Sequence, residues 1–217
     1  MKTALITGVN RGIGKALAEY FLAKGWAVIG TSRDGTSSYA HPHLSIFQLE
    51  LSNAHSREGC AEKIKRAEVK IDILINNAAV LIQRAGPDID AQTLRDTLEV
   101  NVIGAADFTE RVVPYLQTGG HIVNVSSKGG SIELVRNIDY PEYRISKAAL
   151  NMVTKLFAVR LDGLITVSAV HPGRVRTDMA LGKVERSVEE AAKFIYELAI
   201  SNVESGHLWF DGEKIPW

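Results

Sequence analysis

The chain opens with a segment that leaves few folds available. Ala4-Leu5-Ile6 is an apolar run that reads as a buried strand. Thr7-Gly8-Val9-Asn10-Arg11-Gly12-Ile13-Gly14 follows at once, and residues 15–24 then place Leu17, Ala18, Phe21 and Leu22 at helical spacing. A strand, a glycine-rich turn and a helix in that order build a phosphate cradle. The first amides of a helix are unpaired and carry the positive end of its dipole, and glycines let a pyrophosphate approach them closely. The spacing is G-x-x-x-G-x-G rather than the more usual G-x-G-x-x-G. Taken alone, the stretch is also compatible with an ordinary glycine-rich turn before a helix.

Length and charge narrow the class. A chain of 217 residues suits a single domain, 1–217, with room for a sizeable core. Lys+Arg 25 against Asp+Glu 25 leaves no net charge, so nothing in the balance favours nucleic acid or an anionic membrane. The single cysteine, Cys60, has no internal partner and lies in a helical pattern, as a small buried residue of a reducing, cytoplasmic compartment would. The apolar run after Met1-Lys2 is too short for a signal peptide, and no stretch approaches the length of a membrane span.

Further apolar strand candidates recur at residues 27–31, 45–49, 71–75, 121–125, 165–170 and 208–210, seven with the first. Helical patterns occupy residues 12–24, 54–69, 90–116, 141–161 and 187–201, and residues 33–44 read as loop. This alternation predicts an α/β fold: one doubly wound, parallel seven-stranded sheet with helices on both faces. Ligands of such sheets sit beyond the carboxyl ends of the strands. Residues 173–187 are the candidate for a mobile flap there.

The residues near those ends carry a resemblance. Asn101 lies in the long middle helical pattern. Asn124-Val125-Ser126-Ser127-Lys128-Gly129-Gly130 closes the fifth strand, and Tyr143-Arg144-Ile145-Ser146-Lys147 opens the next helix. With the T-G-x-x-x-G-x-G start, the chain resembles the short-chain dehydrogenase/reductase family over nearly its whole length, and most closely the carbonyl reductases of the sniffer and C-factor-like branch. The resemblance implies a Rossmann-type fold and a catalytic tetrad of Asn101, Ser127, Tyr143 and Lys147. It also implies a dinucleotide held by Gly8, Asn10, Arg11, Gly12, Ile13 and Gly14; by Ser32, Arg33, Glu50 and Leu51; by Asn77 and Ala78 of Asn76-Asn77-Ala78-Ala79; by Tyr143 and Lys147; and by Pro172, Gly173, Val175 and Thr177 of the segment similar to P-G-x-x-x-T. Three features depart from the family pattern. Ser127 and Tyr143 stand sixteen residues apart, so the loop 128–142 must bulge and Ser131 is a rival for the serine role. Ala79 replaces a usual glycine, and Glu50-Leu51 replaces a usual Asp before an apolar residue.

Spacing separates the tyrosines. Tyr20 and Lys24 form a second Y-x-x-x-K, but at about 1.5 Å per residue Tyr20 sits roughly 9 Å down its helix from the glycine turn. Tyr143 and Lys147 share one helix face after a strand that ends in serines. Adjacent serines point to opposite faces, so Ser126 and Ser127 cannot both serve. A free phenol titrates near 10, and Lys147 with an oxidised nicotinamide is expected to lower that of Tyr143. Tyr143 then acts as general acid toward a carbonyl oxygen that Ser127 also binds. By resemblance, Lys147 holds the nicotinamide ribose and Asn101 helps hold a water.

Ser32 takes the place that resembles the NAD-type acid, and Arg33 follows it. Arg11 is a second cation toward the same pocket, and two guanidinium groups suit a 2′-phosphate. The reading therefore favours NADP(H) over NAD(H), although Asp34, twenty residues past Gly14, has the offset of a ribose-binding acid. No metal is expected: His41 and His43 share a loop without further ligands. His171 reads as packing near the cofactor, and Trp209 and Trp217 as C-terminal packing. The expected activity is reduction of an aldehyde, ketone or quinone to an alcohol, or the reverse. The alternative is a non-enzymatic dinucleotide-binding regulator on the same fold. Helix 141–161 carries more apolar residues than one face holds, which together with the resemblance implies a homodimer or homotetramer.

Overall fold

A computed structural model describes residues 1–83, 86, 88–175 and 185–217. The elements are β1 (Thr3–Thr7), α1 (Gly12–Ala23), β2 (Ala27–Ser32), β3 (Leu44–Gln48), α2 (Ala54–Arg66), β4 (Ile71–Asn76), α3 (Ala91–Leu98), α4 (Ala105–Val112), β5 (Leu116–Val125), α5 (Pro141–Arg160), β6 (Ile165–Val170), α6 (Val188–Ile200), β7 (Leu208–Phe210) and β8 (Glu213–Ile215). All eight strands form one sheet in the order β3-β2-β1-β4-β5-β6-β7-β8. The chain steps outward from β1 to β3 and then returns to the other side of β1 with β4. The strand order therefore reverses at the carboxyl ends of β1 and β4, where such folds open a crevice.

Seven strands are parallel, and the eighth corrects the expected count: β8 closes a hairpin antiparallel to β7. Its turn residues Asp211 and Gly212 both have positive φ, 49° and 82°, the geometry that lets a two-residue turn follow the strand twist. The Asp-Gly dipeptide was the available signal. Glu213-Lys214-Ile215 is too short and polar to read as a strand.

Period-two alternation feeds two cores. Ala4 and Ile6 of β1 join Leu17 and Phe21 of α1 and Ile195 of α6 on one face. Leu5 joins Ile64 of α2, Phe108 of α4 and Phe157 of α5 on the other. Each such burial is worth about 1.5–3 kcal/mol. Covered on both faces, β1 and β4 read in sequence as continuous apolar runs.

The expected single helix over 90–116 divides. A π-helical segment, Glu99–Gly104, separates α3 from α4, and a 3₁₀ turn ends at Tyr115. At Gly104 any Cβ would lie 2.3 Å from the Leu51 carbonyl oxygen, so backbone packs on backbone there. The wider turn also aims Asn101 inward, a common use of π segments. Apolar periodicity does not encode either contact.

His121 pins the sheet to α6: its ring nitrogens lie 3.1 Å from the Ala199 carbonyl oxygen and 2.9 Å from Ser168 Oγ. Burial pulls its pKa down to about 4. A histidine depressed in the folded state favours folding above its unfolded value near 6.5, and that contribution is lost as pH falls toward 4, on the order of 3 kcal/mol. Urea melts should show stability declining from pH 6.5 to 4, and His121→Gln should flatten that decline. Among the described residues no helix is long and apolar enough to cross a membrane.

Candidate active site

The glycine turn is built by its neighbours. Gly8 and Gly12 occupy left-handed backbone, φ +75° and +55°. The Gly8 and Val9 amides donate to the Thr31 carbonyl at 3.0 Å each, tying the turn to β2. Asn77 Nδ2 donates to the Thr7 and Gly8 carbonyls at 2.8 and 3.2 Å. Thr7 Oγ1 accepts from the Asn77 and Ala78 amides at 3.0 and 2.9 Å. Asn77 and Ala78 thus hold the cradle from below, and Thr7, which the sequence reading gave no role, is the post they fasten to. Helix α1 has no side-chain cap and no acidic residue in its first turn, so its leading amides stay available to an anion. Asn10 Oδ1 is buried without a partner, an acceptor suited to a hydroxyl donor. These features fit a dinucleotide: pyrophosphate on the amides, a ribose hydroxyl near Asn10.

A cleft of about 1660 Å³ runs from this turn to the ends of β5 and β6. Gly8, Asn10, Arg11, Gly12, Ile13 and Gly14 line one end with Ser32, Arg33, Glu50 and Leu51. Asp34 does not pair with Arg33. Its Oδ1 accepts from Ser32 Oγ at 3.0 Å and from the Thr36 amide at 3.1 Å, closing a local turn, and these bonds, above all those from Thr36, hold its carboxyl below the usual range. Arg33 carries no ion pair among the described residues and is exposed at the rim.

Ser127, Tyr143 and Lys147 line the other end. Ser127 Oγ accepts from the Gly129 amide at 3.0 Å, which leaves its own proton free to donate. Its neighbour Ser126 is buried and gives its hydroxyl to Asn151 Oδ1 at 2.5 Å. The rival Ser131 is fully buried and accepts from the Leu134 amide. Of the three, Ser127 is the part-exposed one. The long loop re-enters helix at Tyr140, held in left-handed backbone at φ +53°, with Pro141 in the first turn of α5.

Lys147 is 2 % exposed, and its Nζ donates to the Val125 carbonyl at 2.9 Å and sits 5.4 Å over the centroid of the Tyr143 ring. Burial pulls its pKa down to about 8 and pushes that of Tyr143 up to about 12. The expected lowering of the phenol is therefore not a property of the protein groups alone. Desolvation outweighs the ammonium, which lies over the ring and is engaged with a carbonyl.

Asn101 stands behind the cleft, 1 % exposed. Its Oδ1 accepts from the Val80 amide at 2.8 Å, and its Nδ2 donates to the Val80 carbonyl at 2.8 Å and to Ser146 Oγ at 3.0 Å. Ser146 Oγ in turn donates to the Tyr143 carbonyl at 2.7 Å. The structure thus makes Asn101 a strut between the segment after β4 and the first turn of α5, with each of its amide hydrogens taken by a protein acceptor. A buried chain that sequence reading missed runs from Thr109 through Asn76 and Asn124 to Thr154. Polar residues in otherwise apolar strands were its only signal. Pro172, Gly173 and Val175 line the cleft, while Thr177 and much of the expected flap at 173–187 lie outside the described residues. Tyr20 does not reach the cleft: it packs on Tyr196, ring centroids 5.1 Å apart. Among the described residues no group of three His, Cys, Asp or Glu is placed to hold a metal.

Fold and cleft together define a doubly wound oxidoreductase whose tyrosine–lysine pair faces a dinucleotide cradle. The family model for short chain dehydrogenases matches residues 2–187, and the chain belongs to that family. It is 33% identical over 206 residues to the 3-oxoacyl-acyl-carrier-protein reductase FabG of Thermotoga maritima, covering 88% of this chain and 80% of that one. Among solved structures it is similar to the carbonyl reductase Sniffer of D. melanogaster, with TM-score 0.91, 27% identity and full coverage of both chains. The NADPH-bound carbonyl reductase from chicken fatty liver superposes with TM-score 0.90 and 26% identity, over 100% of this chain and 94% of that one.

Proposed function

We propose that residues 1–217 act as a single dinucleotide-binding and catalytic domain, an NADP(H)-dependent carbonyl reductase that converts an aldehyde, ketone or quinone to an alcohol. The observation that carries this reading is the convergence of Ser127, Tyr143 and Lys147 on the cleft that begins at the glycine turn. The NADPH-bound and Sniffer carbonyl reductases that superpose on the chain support it.

The bound nicotinamide cofactor supplies the hydride. Tyr143 gives its phenolic proton to the carbonyl oxygen, and Ser127 donates a hydrogen bond to the same oxygen. With its phenol pushed up to about 12, Tyr143 keeps its proton at neutral pH. Lys147, charged below about 8, stabilises the phenolate left behind. Asn101 acts as a positioning residue for the turn that carries Tyr143. Consumption of NADPH with a panel of aldehydes, ketones and quinones tests the reading. Tight NADPH binding with no turnover on any of them would leave a dinucleotide-binding regulator instead. A cytoplasmic location suits a chain whose one cysteine, Cys60, is buried and unpaired.

The preference for NADP(H) over NAD(H) rests on Arg33 and Arg11 beside Ser32. A lost charged hydrogen bond costs roughly 1.5–3 kcal/mol, about ten- to a hundredfold in affinity. Arg33→Ser should weaken NADPH binding by that factor and leave NADH binding nearly as it was. Equal losses for both would remove Arg33 from phosphate recognition.

Assembly follows from α5. Its inner face buries Ser146, Lys147, Leu150, Asn151, Thr154 and Phe157, while Met152, Leu156 and Val159 form an outer stripe, 61–68% exposed. A two-fold homodimer or homotetramer covers this stripe and braces the helix bearing Tyr143. Light scattering at micromolar concentration should return at least twice the chain mass. A fully active species at 23.7 kDa would overturn the assembly.

A further inference from the structure

The geometry points to a substrate that bears an anionic group, a carboxylate or phosphate, bound where β5 and β6 end. This rests on the carbonyl reductase reading and adds a substrate class to it. The chain has no net charge, yet charge is not spread evenly along the cleft. At the Ser127–Tyr143 end the described lining residues include Lys128, Arg136, Arg144 and Arg174 against one carboxylate, Asp139, with Lys147 buried beneath. Lys128 directly follows Ser127, and Arg144 directly follows Tyr143, so the cations flank the two groups that meet the carbonyl.

Among the described residues, what these cations touch leaves most of their charge uncompensated. Arg144 donates to the Asp139 backbone carbonyl at 2.7 Å and to Asn137 Oδ1. Arg136 donates to the Glu133 and Val135 carbonyls, both at 2.8 Å. These partners are neutral: they orient the guanidinium groups without cancelling them. Arg174 meets Glu185 only at 3.9 Å, with both side chains about half exposed, a pairing worth little in water. The Lys128 side chain makes no hydrogen bond or ion pair among the described residues.

His171 marks the centre of this field. It lines the same end of the cleft, is 4 % exposed, and neither ring nitrogen has a hydrogen-bond partner. Burial first, then Lys128, Arg186 and Arg174, hold it neutral against the opposing pull of Asp211. Asp211 is already taken by Arg186, which it meets with both oxygens at 2.8 Å. Among the described residues, cations therefore converge on an imidazole whose N–H no protein acceptor takes, and the one carboxylate that acts on it, Asp211, is engaged by Arg186. An anionic oxygen supplies what this end lacks.

The test uses the NADPH-loaded enzyme with 3- and 4-formylbenzoate against the matching formylbenzamides. The amide withdraws more electron density, so intrinsic reactivity favours the neutral compounds. The acids should nevertheless show kcat/KM about tenfold higher at low salt, and the gap should narrow as ionic strength rises to about 0.5 M. Lys128→Met and Arg174→Met should each lower the acid-to-amide ratio by about fivefold, with the NADPH Kd unchanged within about twofold. Calorimetric titration of the NADP-loaded protein with benzoate and benzamide reads the site without turnover: benzoate should bind more tightly, and Lys128→Met should erase the difference. Equal kcat/KM for acids and amides, equal loss on both in the variants, or a loss that falls on NADPH affinity would each overturn the anion site. If no aldehyde of either kind is reduced, the wider panel of ketones and quinones decides the carbonyl reductase reading, and the benzoate titration alone decides the anion site.

Discussion

Replacing Tyr143 by phenylalanine should lower kcat by about a thousandfold while NADPH affinity stays within about twofold of the parent. A positioned general acid contributes about 10²–10⁴ to rate, and Tyr143 is the phenol proposed for that role on the cleft that Ser127 also lines. The ring itself remains, so its packing and the 5.4 Å approach of Lys147 are kept. Reduction by the parent should decline as pH rises through about 8, where Lys147 loses its charge and the nascent phenolate loses its counter-ion. Tyr20→Phe is the control and should leave turnover as it is. Stopped-flow traces separate the chemical step from NADPH binding. A Tyr143→Phe enzyme with near-parental kcat would sink the proposed acid role.

The next largest effect is expected at Gly14. A Cβ there would lie 2.1 Å from the Gly8 carbonyl oxygen and 2.4 Å from Asn77 Nδ2. Neither is the free end of a flexible side chain: one is backbone, and the other is fixed by bonds to the Thr7 and Gly8 carbonyls. Gly14→Ala must therefore push α1 away from the turn. Overpacking of this kind costs about 1–3 kcal/mol, so Tm should fall by roughly 5–10 °C. NADPH affinity should drop at least about tenfold, because the displaced atoms form the cradle. Gly59→Ala is the contrast. Gly59 lies in α2 on the surface with nothing within 4 Å of an added Cβ, and the change should stabilise by about 0.5–1 kcal/mol. Parental Tm and NADPH affinity in Gly14→Ala would mean the turn is not packed as tightly as the structure has it.

Most of the strands were legible because burial writes itself into sequence. The apolar runs of β1, β4 and β6 exist because both faces of a central parallel strand are covered. The elements that escaped were those set by contacts distant in sequence. The π segment at Glu99–Gly104 depends on the Leu51 carbonyl and on Val80 and Ser146. β8 depends on a hairpin turn and a neighbouring strand rather than on an apolar pattern. The lowering of the Tyr143 phenol was expected from Lys147 together with an oxidised nicotinamide; in the chain without that cofactor burial pushes it up, since spacing reveals a lysine four residues on but not how dry the site is.

The two Y-x-x-x-K pairs state the division most sharply. The sequence by itself determined that each would place a tyrosine and a lysine on one helix face, because 3.6 residues per turn brings i and i+4 together. The structure bears this out almost identically, with Lys24 5.4 Å over the Tyr20 ring and Lys147 5.4 Å over that of Tyr143. Local geometry therefore cannot distinguish an acid from a packing residue. Only the tertiary structure does: it turns Tyr20 against Tyr196 in the α1–α6 contact, and it places Tyr143 on the cleft that Ser127 also lines, with a lysine buried under the end of β5. Desolvation and the meeting of α5 with the carboxyl end of the sheet are long-range properties, fixed by packing rather than by spacing along the chain.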